Sequence, residues 1–188
     1  MRIVLEMKLP VIVRLGGFHL LKSYLGCIGY IMKDSGFEDI LQLIYPGNVD
    51  CIADGGSFYK SLRALFLIDA AFCSHLLKDD FDEIDDGAIR LFLKKLSDQE
   101  AGAQVTSDKT KKITKILASK IKQFSENDRT GKLWCCFHDM VCIVKQFITA
   151  ERLHDWDSHL AAVVNMLWGF AAAGRGHGKR ESTQQRHV

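Results

Sequence analysis

Three residues that could share a metal ion lie close together in the sequence, at Cys135, His138 and Cys142. Their spacing of i, i+3 and i+7 places the three side chains on one face of a helix. Thiolate and imidazole groups are the ligands that zinc prefers in proteins, and His154 or His159 could add a fourth. Structural zinc sites usually contain Cys-x-x-Cys pairs, however, and this sequence has none. The alternative is that the cysteines pack in a core and that His138 is a partly exposed polar residue.

Lysines are concentrated in one predicted amphipathic helix, which spans about Lys109 to Phe124, and basic residues recur near the carboxyl end. Such residues could contact phosphate groups of a nucleic acid. No aromatic residue lies between the lysines for bases to stack on, so a solvated helix face is the alternative. The candidate residues for nucleic-acid binding are Lys109, Lys111, Lys112, Lys115, Lys120, Lys122, Arg175, Lys179 and Arg180.

Other local patterns do not support a specific chemistry. Gly16-Gly17 could form a phosphate loop, but the glycine-rich motifs of nucleotide-binding proteins are absent, so we expect a tight turn. The acidic run Asp79 to Asp86 lacks the spacing of a calcium-binding loop, and we expect it to precede a helix. No nucleophile motif of a hydrolase is present. The residues therefore predict no resident cofactor.

The elements that would position these residues are mostly helices. Apolar residues recur at helical spacing in seven segments, and only 2 of 188 residues are proline. The sequence predicts one mainly α-helical domain at 1–173, with six to seven helices, and a disordered basic tail at 174–188. A short strand is predicted at 11–15, and a second element could precede it. The predicted helices span about 18–34, 37–44, 57–78, 85–96, 109–124, 132–153 and 157–173.

Composition restricts the environment of the chain. The formal net charge of +2 is too small to require an anionic partner. Six cysteines without paired motifs, and an amino terminus without a secretion signal, favour reduced thiols in the cytoplasm or nucleus. The longest predicted apolar run, 160–173, is shorter than the ~20 residues that span a bilayer, so we expect no membrane association.

Two stretches of sequence together resemble a known protein family. The first reads VIVRLGGFHLL at 11–21, and the second contains AER-x-x-DW-x-x-H at 150–159. Both are similar to a poorly characterised group of transposase-like animal proteins derived from mobile elements. The resemblance implies an RNase H-like α/β core, of which this helical chain would be a remnant. The family pattern also implies an acidic strand upstream and a different carboxyl-terminal segment, so we expect a fragment without catalytic activity.

An RNase H-like nuclease would use converging carboxylates to bind Mg²⁺. The resemblance leaves Asp69, Asp139 and Glu151 as candidates, and Mg²⁺ would be needed only if that site were retained. A structural role, with the acids paired to Lys145 or Arg152, is the alternative. Three functions therefore remain: a non-catalytic transposase-like fragment, a nucleic-acid-binding module, or a domain that binds another protein chain through exposed apolar helix faces.

Overall fold

The computed structural model describes residues 16–80 and 108–177, together with the single positions 87, 90 and 94. The described residues form seven α-helices and one short 3₁₀ turn, and they contain no strand. The prediction of a mainly α-helical domain is therefore confirmed. The predicted strand at 11–15 lies outside the described residues.

Short connections join the first four helices to one another and the last three helices to one another. The bounds are α1, Gly17–Ile31; α2, Phe37–Ile44; α3, Val49–Ala53; α4, Phe58–Leu77; α5, Asp108–Asn127; α6, Arg129–Leu153; and α7, Trp156–His177. The 3₁₀ turn Lys78–Asp80 continues α4. The predicted helix at 85–96 lies almost wholly outside the described residues, although positions 87, 90 and 94 are helical.

The main core lies where α6 packs between α1, α4 and α7. Apolar residues one turn apart on each helix point inward, as their periodicity predicts. The largest fully buried side chains include Tyr24, Phe37, Phe66, Phe137 and Phe147. A second core, between α4, α5 and the first turns of α6, contains Phe72, Ile113, Leu117 and Cys135.

Glycines in α1 allow α3 to pack directly against its backbone. A methyl group at Gly29 would lie 2.0 Å from the carbonyl oxygen of Ala53, and one at Gly26 would lie 2.9 Å from that of Asp54. No larger side chain fits these positions without moving the backbone. Gly26 and Gly29 therefore permit the close approach of α3 to α1.

Several predicted boundaries were wrong. The segment 45–56, which separates two of the predicted helices, contains the short helix α3. The gap between the predicted helices at 125–131 is almost absent, because α5 continues to Asn127. The side chain of Asp128 then caps α6 by accepting a hydrogen bond from the backbone N–H of Gly131. Ser57 precedes α4 but makes no side-chain cap; its carbonyl oxygen accepts instead from Ser61.

Helix α7 extends to His177, four residues beyond the boundary predicted at Ala173. Ala173 is the last buried residue of α7 among those described. A formed helix continues past its last packed residue because each further residue adds a backbone hydrogen bond. Residues 178–188 lie outside the described part of the chain.

One described helix, α6, is long and apolar enough to cross a membrane by length and composition. The core helix of a globular protein meets the same criterion, and α6 packs against α4, α5 and α7.

Candidate functional site

Polar side chains from two helices meet in the interior between α4 and α6. We call this group the Asp69 cluster; its members are Asp69 and Cys73 of α4 with His138, Cys142 and Lys145 of α6. Asp69 and Cys73 are completely buried, and His138 is nearly so. Cys142 lies at the exposed edge of the cluster.

Helical spacing accounts for the way the cluster assembles. Asp69 and Cys73 are four residues apart, as are His138 and Cys142, and Lys145 follows one turn later. Residues at this spacing share one face of a helix. Two such faces oppose each other where α4 crosses α6, so five polar side chains become neighbours within an otherwise apolar interior.

The carboxylate of Asp69 receives two strong hydrogen bonds. His138 Nδ1 lies 2.6 Å from Oδ1, and Lys145 Nζ lies 2.7 Å from Oδ2. These lengths are typical of charge-assisted hydrogen bonds. Lys145 also lies 5.1 Å from the centre of the Phe66 ring. Asp69 is therefore satisfied on both oxygens despite its complete burial.

The charge of His138 is set by two opposing effects. Burial alone disfavours the imidazolium, but the hydrogen bond to Asp69, supported by the thiols of Cys142 and Cys73, outweighs it and raises the pKa of His138 above its ordinary value. For Cys73, burial raises the thiol pKa, while the hydrogen bond to His138 acts in the opposite direction. These shifts favour the protonated form of His138 beside the Asp69 carboxylate and the neutral thiol of Cys73.

A metal ion fits this arrangement poorly. Ligand atoms of Asp69, Cys73 and His138 lie within 4.8 Å of one another, which is close enough to suggest a shared ion. However, Nδ1 and Oδ1 lie at a hydrogen-bond distance that requires a proton between them, and a metal-bound nitrogen carries none. Lys145 already neutralises the second oxygen. These potential ligand atoms therefore bind one another rather than an ion.

The metal ligands predicted from the sequence lie in two different places. His138 and Cys142 are neighbours, with Cys142 Sγ 3.5 Å from Nε2. Cys135 instead faces α5 in the second core, where its thiol donates to the carbonyl oxygen of Ile121 at 3.4 Å. His159 lies 2.7 Å from Glu151, near the far end of α6. Among the described residues, the structure does not gather Cys135, His138 and Cys142 around a common point.

The three candidate acids are also separated. Asp69 is buried, and its carboxylate is paired as described above. Asp139 is exposed, and Glu151 follows it by 12 residues, about 18 Å along α6. In the part of the chain that is described, these carboxylates do not form the converging set that Mg²⁺ would require.

Four of the predicted phosphate-binding lysines are exposed on α5, namely Lys111, Lys112, Lys115 and Lys122. Lys120 is half-buried. Lys109 and Arg175 lie within helices, but their side chains are not among those described, and Lys179 and Arg180 lie outside the described residues.

A second surface feature is an apolar strip on α7. We call it the α7 apolar face; it consists of five large side chains that are each about half exposed, Trp156 (46%), Leu160 (49%), Val164 (55%), Leu167 (58%) and Trp168 (43%). One edge of this face borders a groove of about 540 Å³ between α1 and α7. The groove is lined by His19, Leu20, Ser23, Trp156, His159, Leu160, Val163, Leu167 and Phe170.

The sequence contained signals for both features, but they did not identify the contacts. Asp69 and Lys145 are charged residues at inward-facing positions of apolar helices, and such residues are buried only when they are paired. The identity of the partner depends on how α4 crosses α6, which periodicity does not specify. Similarly, the run 160–173 is apolar apart from Asn165, which predicts a buried helix, yet the described residues cover only part of it.

Comparison with known proteins identifies the family but not an activity. Residues 5–182 match the family described as Domain of unknown function (DUF8702), and the chain therefore belongs to that family. No curated protein and no solved structure matches the chain.

Proposed function

We propose that this member of the DUF8702 family is a protein-interaction domain that pairs with a second copy of itself through the α7 apolar face. The observation that carries the proposal is the continuous row of half-exposed large apolar side chains on α7. Exposed apolar residues that occur singly are ordinary on a protein surface, but a contiguous strip usually marks an interface.

The spacing of the strip favours a copy of the same helix as the partner. Leu160, Val164 and Trp168 follow one another at intervals of four residues, so the row is symmetric about Val164. In an antiparallel pair with a two-fold axis at Val164, each Leu160 would pack against Trp168 of the other copy. A two-fold interface requires such self-complementarity.

The charges along α7 agree with this arrangement. No Asp, Glu, Lys or Arg lies between Ser158 and Gly174, so such side chains would not face like charges near the axis. Asp157 lies near the amino end of α7, and Arg175 lies near its carboxyl end. With the axis at Val164, antiparallel pairing would leave these opposite charges about 6 Å apart along the helix axes at both ends, against about 27 Å in a parallel pair, which favours the antiparallel orientation.

The expected interface is small. Five side chains that are about half exposed would bury on the order of 500 Å² per partner, which is at the low end of specific interfaces. We therefore expect a reversible dimer whose population depends on protein concentration.

Light scattering on matched variants tests the proposal. Leu160→Asp places a charge in the α7 apolar face and should weaken dimerisation by at least about tenfold, since burying an unpaired carboxylate costs more than ~1.4 kcal/mol. Leu43→Asp is the control, because Leu43 lies on α2 and is 84% exposed. A monomeric wild type, or equal behaviour of both variants, would contradict the proposal.

Cysteine cross-linking tests the position of the axis. Under mild oxidation, Val164→Cys should form a disulfide-linked dimer, because residues at a two-fold axis can approach within the ~7 Å between Cα atoms that a disulfide requires. Asn165→Cys is the matched control, since it is exposed but rotated by about 100° around the helix. Equal cross-linking of the two variants would rule out an axis at Val164.

A second candidate function is nucleic-acid binding through α5. The observation that favours it is that Lys111, Lys115 and Lys122 are exposed and lie within about 40° of one another on the helix, opposite the buried Ile113 and Leu117. Filter binding to duplex DNA across a salt series would test it. Affinity should fall as salt rises, and removing the three lysines should reduce the salt dependence; absence of binding at low salt would exclude this function.

A further inference from the structure

Cys142 is the exposed member of a Cys–His–Asp series. Its sulfur lies 3.5 Å from Nε2 of His138, and Nδ1 on the opposite side of the same ring lies 2.6 Å from Oδ1 of Asp69. Two side chains thus contact one imidazole through its two different nitrogens. Thiol enzymes use this order of groups to activate a cysteine nucleophile.

The hydrogen bonds define the role of each group. An ionised carboxylate can only accept, so the proton between Asp69 and His138 resides on Nδ1. Nε2 is therefore the nitrogen that exchanges a proton with Cys142. Lys145, on the second oxygen of Asp69, stabilises the ionised carboxylate and so fixes the orientation of the ring.

The charges of the cluster leave room for one more anion. Asp69 contributes one negative charge, whereas Lys145 and a protonated His138 contribute two positive charges. The side chains of His138 and Lys145 are only 11% and 16% exposed, so solvent compensates little of the excess. A thiolate at Cys142 would neutralise the group. Cys73 is less suited to carry this negative charge, because it is completely buried and lies 3.7 Å from Nδ1, whose proton is directed to Asp69.

We propose that Cys142 is a thiol-modification site that reacts with low-molecular-weight disulfides to form a mixed disulfide. With the thiol proton of Cys142 held at Nε2 of His138, the Cys142 thiolate attacks one sulfur of the disulfide, and a new S–S bond forms as the old one breaks. The departing thiolate takes up the proton that His138 holds at Nε2. The cysteine is oxidised and the small disulfide is reduced, so no further reactant is needed.

Hydrolytic chemistry does not follow from the same geometry. Cys142 lies in the middle of α6, where each backbone N–H donates to the carbonyl oxygen four residues earlier. Those N–H groups cannot stabilise the oxyanion of an acyl-transfer reaction. Disulfide exchange has no such requirement, because the negative charge stays on sulfur atoms.

The test is the rate of mixed-disulfide formation with glutathione disulfide, measured for each cysteine by peptide mass spectrometry. Cys51 is the internal control, because its thiol is also exposed and no imidazole contact is described for it. At about pH 7 we expect Cys142 to react at least about tenfold faster than Cys51, because an adjacent imidazole activates a thiol by taking part in proton transfer.

The result that overturns the proposal is a rate at Cys142 that is no greater than the rate at Cys51. That comparison uses the wild-type chain and does not depend on the folding of a variant. In His138→Gln, checked by circular dichroism to be folded, the rate at Cys142 should fall to that of Cys51. An unchanged rate in the folded variant would also refute the role assigned to His138.

Discussion

Replacing Asp69 with Asn isolates the contribution of one carboxylate to the stability of the fold. The substitution keeps the size of the side chain but removes the negative charge that both His138 and Lys145 contact. Hydrogen bonds to charged groups contribute about 1.5–3 kcal/mol each, and breaking a buried ion pair costs about 3–5 kcal/mol. Two adjustments reduce the loss: buried His138 can release its proton, and Lys145 can turn toward solvent.

We therefore expect Asp69→Asn to lower the free energy of unfolding by about 3 kcal/mol. For a chain of this size, each kcal/mol corresponds to about 2–4 °C, so the melting temperature should fall by roughly 6–12 °C. Urea and thermal unfolding followed by circular dichroism provide the measurement. Asp139→Asn is the matched control, because Asp139 is exposed on α6 next to His138, and we expect a change within about 0.5 kcal/mol.

Equal destabilisation by the two substitutions would refute the pairing of Asp69. A further variant separates the loss of charge pairing from the loss of packing. When Asp69→Leu is combined with His138→Leu and Lys145→Met, no unpaired buried charge remains, and such replacements are often neutral or stabilising. The triple variant should therefore be more stable than Asp69→Asn; a triple variant that is less stable would contradict the electrostatic explanation.

Three further predictions concern stability. The folded-state pKa of His138 is raised above the ~6.5 of the unfolded chain. Protonated His138 therefore contributes its full stabilisation of the fold below about pH 6.5, and this stabilisation is lost as pH rises, by up to ~1.4 kcal/mol per pH unit. Urea unfolding between about pH 6.5 and about pH 8 should show this decline, and a slope unchanged in His138→Gln would disprove it. Gly29→Ala should lower the free energy of unfolding by about 3 kcal/mol or more, because its methyl group meets the Ala53 backbone. Gly174→Ala is the control: no atom lies within 4 Å of the added methyl group, so the change should be neutral or stabilising by up to ~1 kcal/mol. Similar melting temperatures of the two variants would argue against the contact at Gly29. Tyr24→Phe removes a buried hydroxyl that has no hydrogen-bond partner among the described residues. The free energy of unfolding should therefore stay constant or rise by about 1 kcal/mol. A clear loss of stability would mean that the hydroxyl is hydrogen-bonded.

Local patterns predicted most of the helices but not their termini. Helix α2 was predicted with its observed bounds, because Gly36 and the apolar spacing of 37–44 mark them in the sequence. Helix α3 was missed because five residues between turn-forming residues are too short for a periodic pattern. The boundary between α5 and α6 was misplaced because the capping Asp128 lies within a polar segment that is typical of a turn.

The candidate sites show a similar division. The spacing of His138 and Cys142 correctly places them on one face, since that depends on one helix only. The partners from α4 depend on how two helices cross, and no pattern within either helix contains this information. The sequence named Asp69 as a candidate acid and Lys145 as a possible partner of the candidate acids, whereas the contact of Asp69 with His138 was found only in the structure. The transposase-like origin and the intracellular location stay predictions.

Sedimentation equilibrium of the wild-type chain tests most directly whether the domain self-associates. The chain has a mass of 21.2 kDa. Self-association through the α7 apolar face predicts a weight-average mass that rises with protein concentration toward twice that value, and that stays near the monomer mass in Leu160→Asp. A wild-type mass that remains at 21.2 kDa at all concentrations would contradict the proposal that the α7 apolar face binds a second copy.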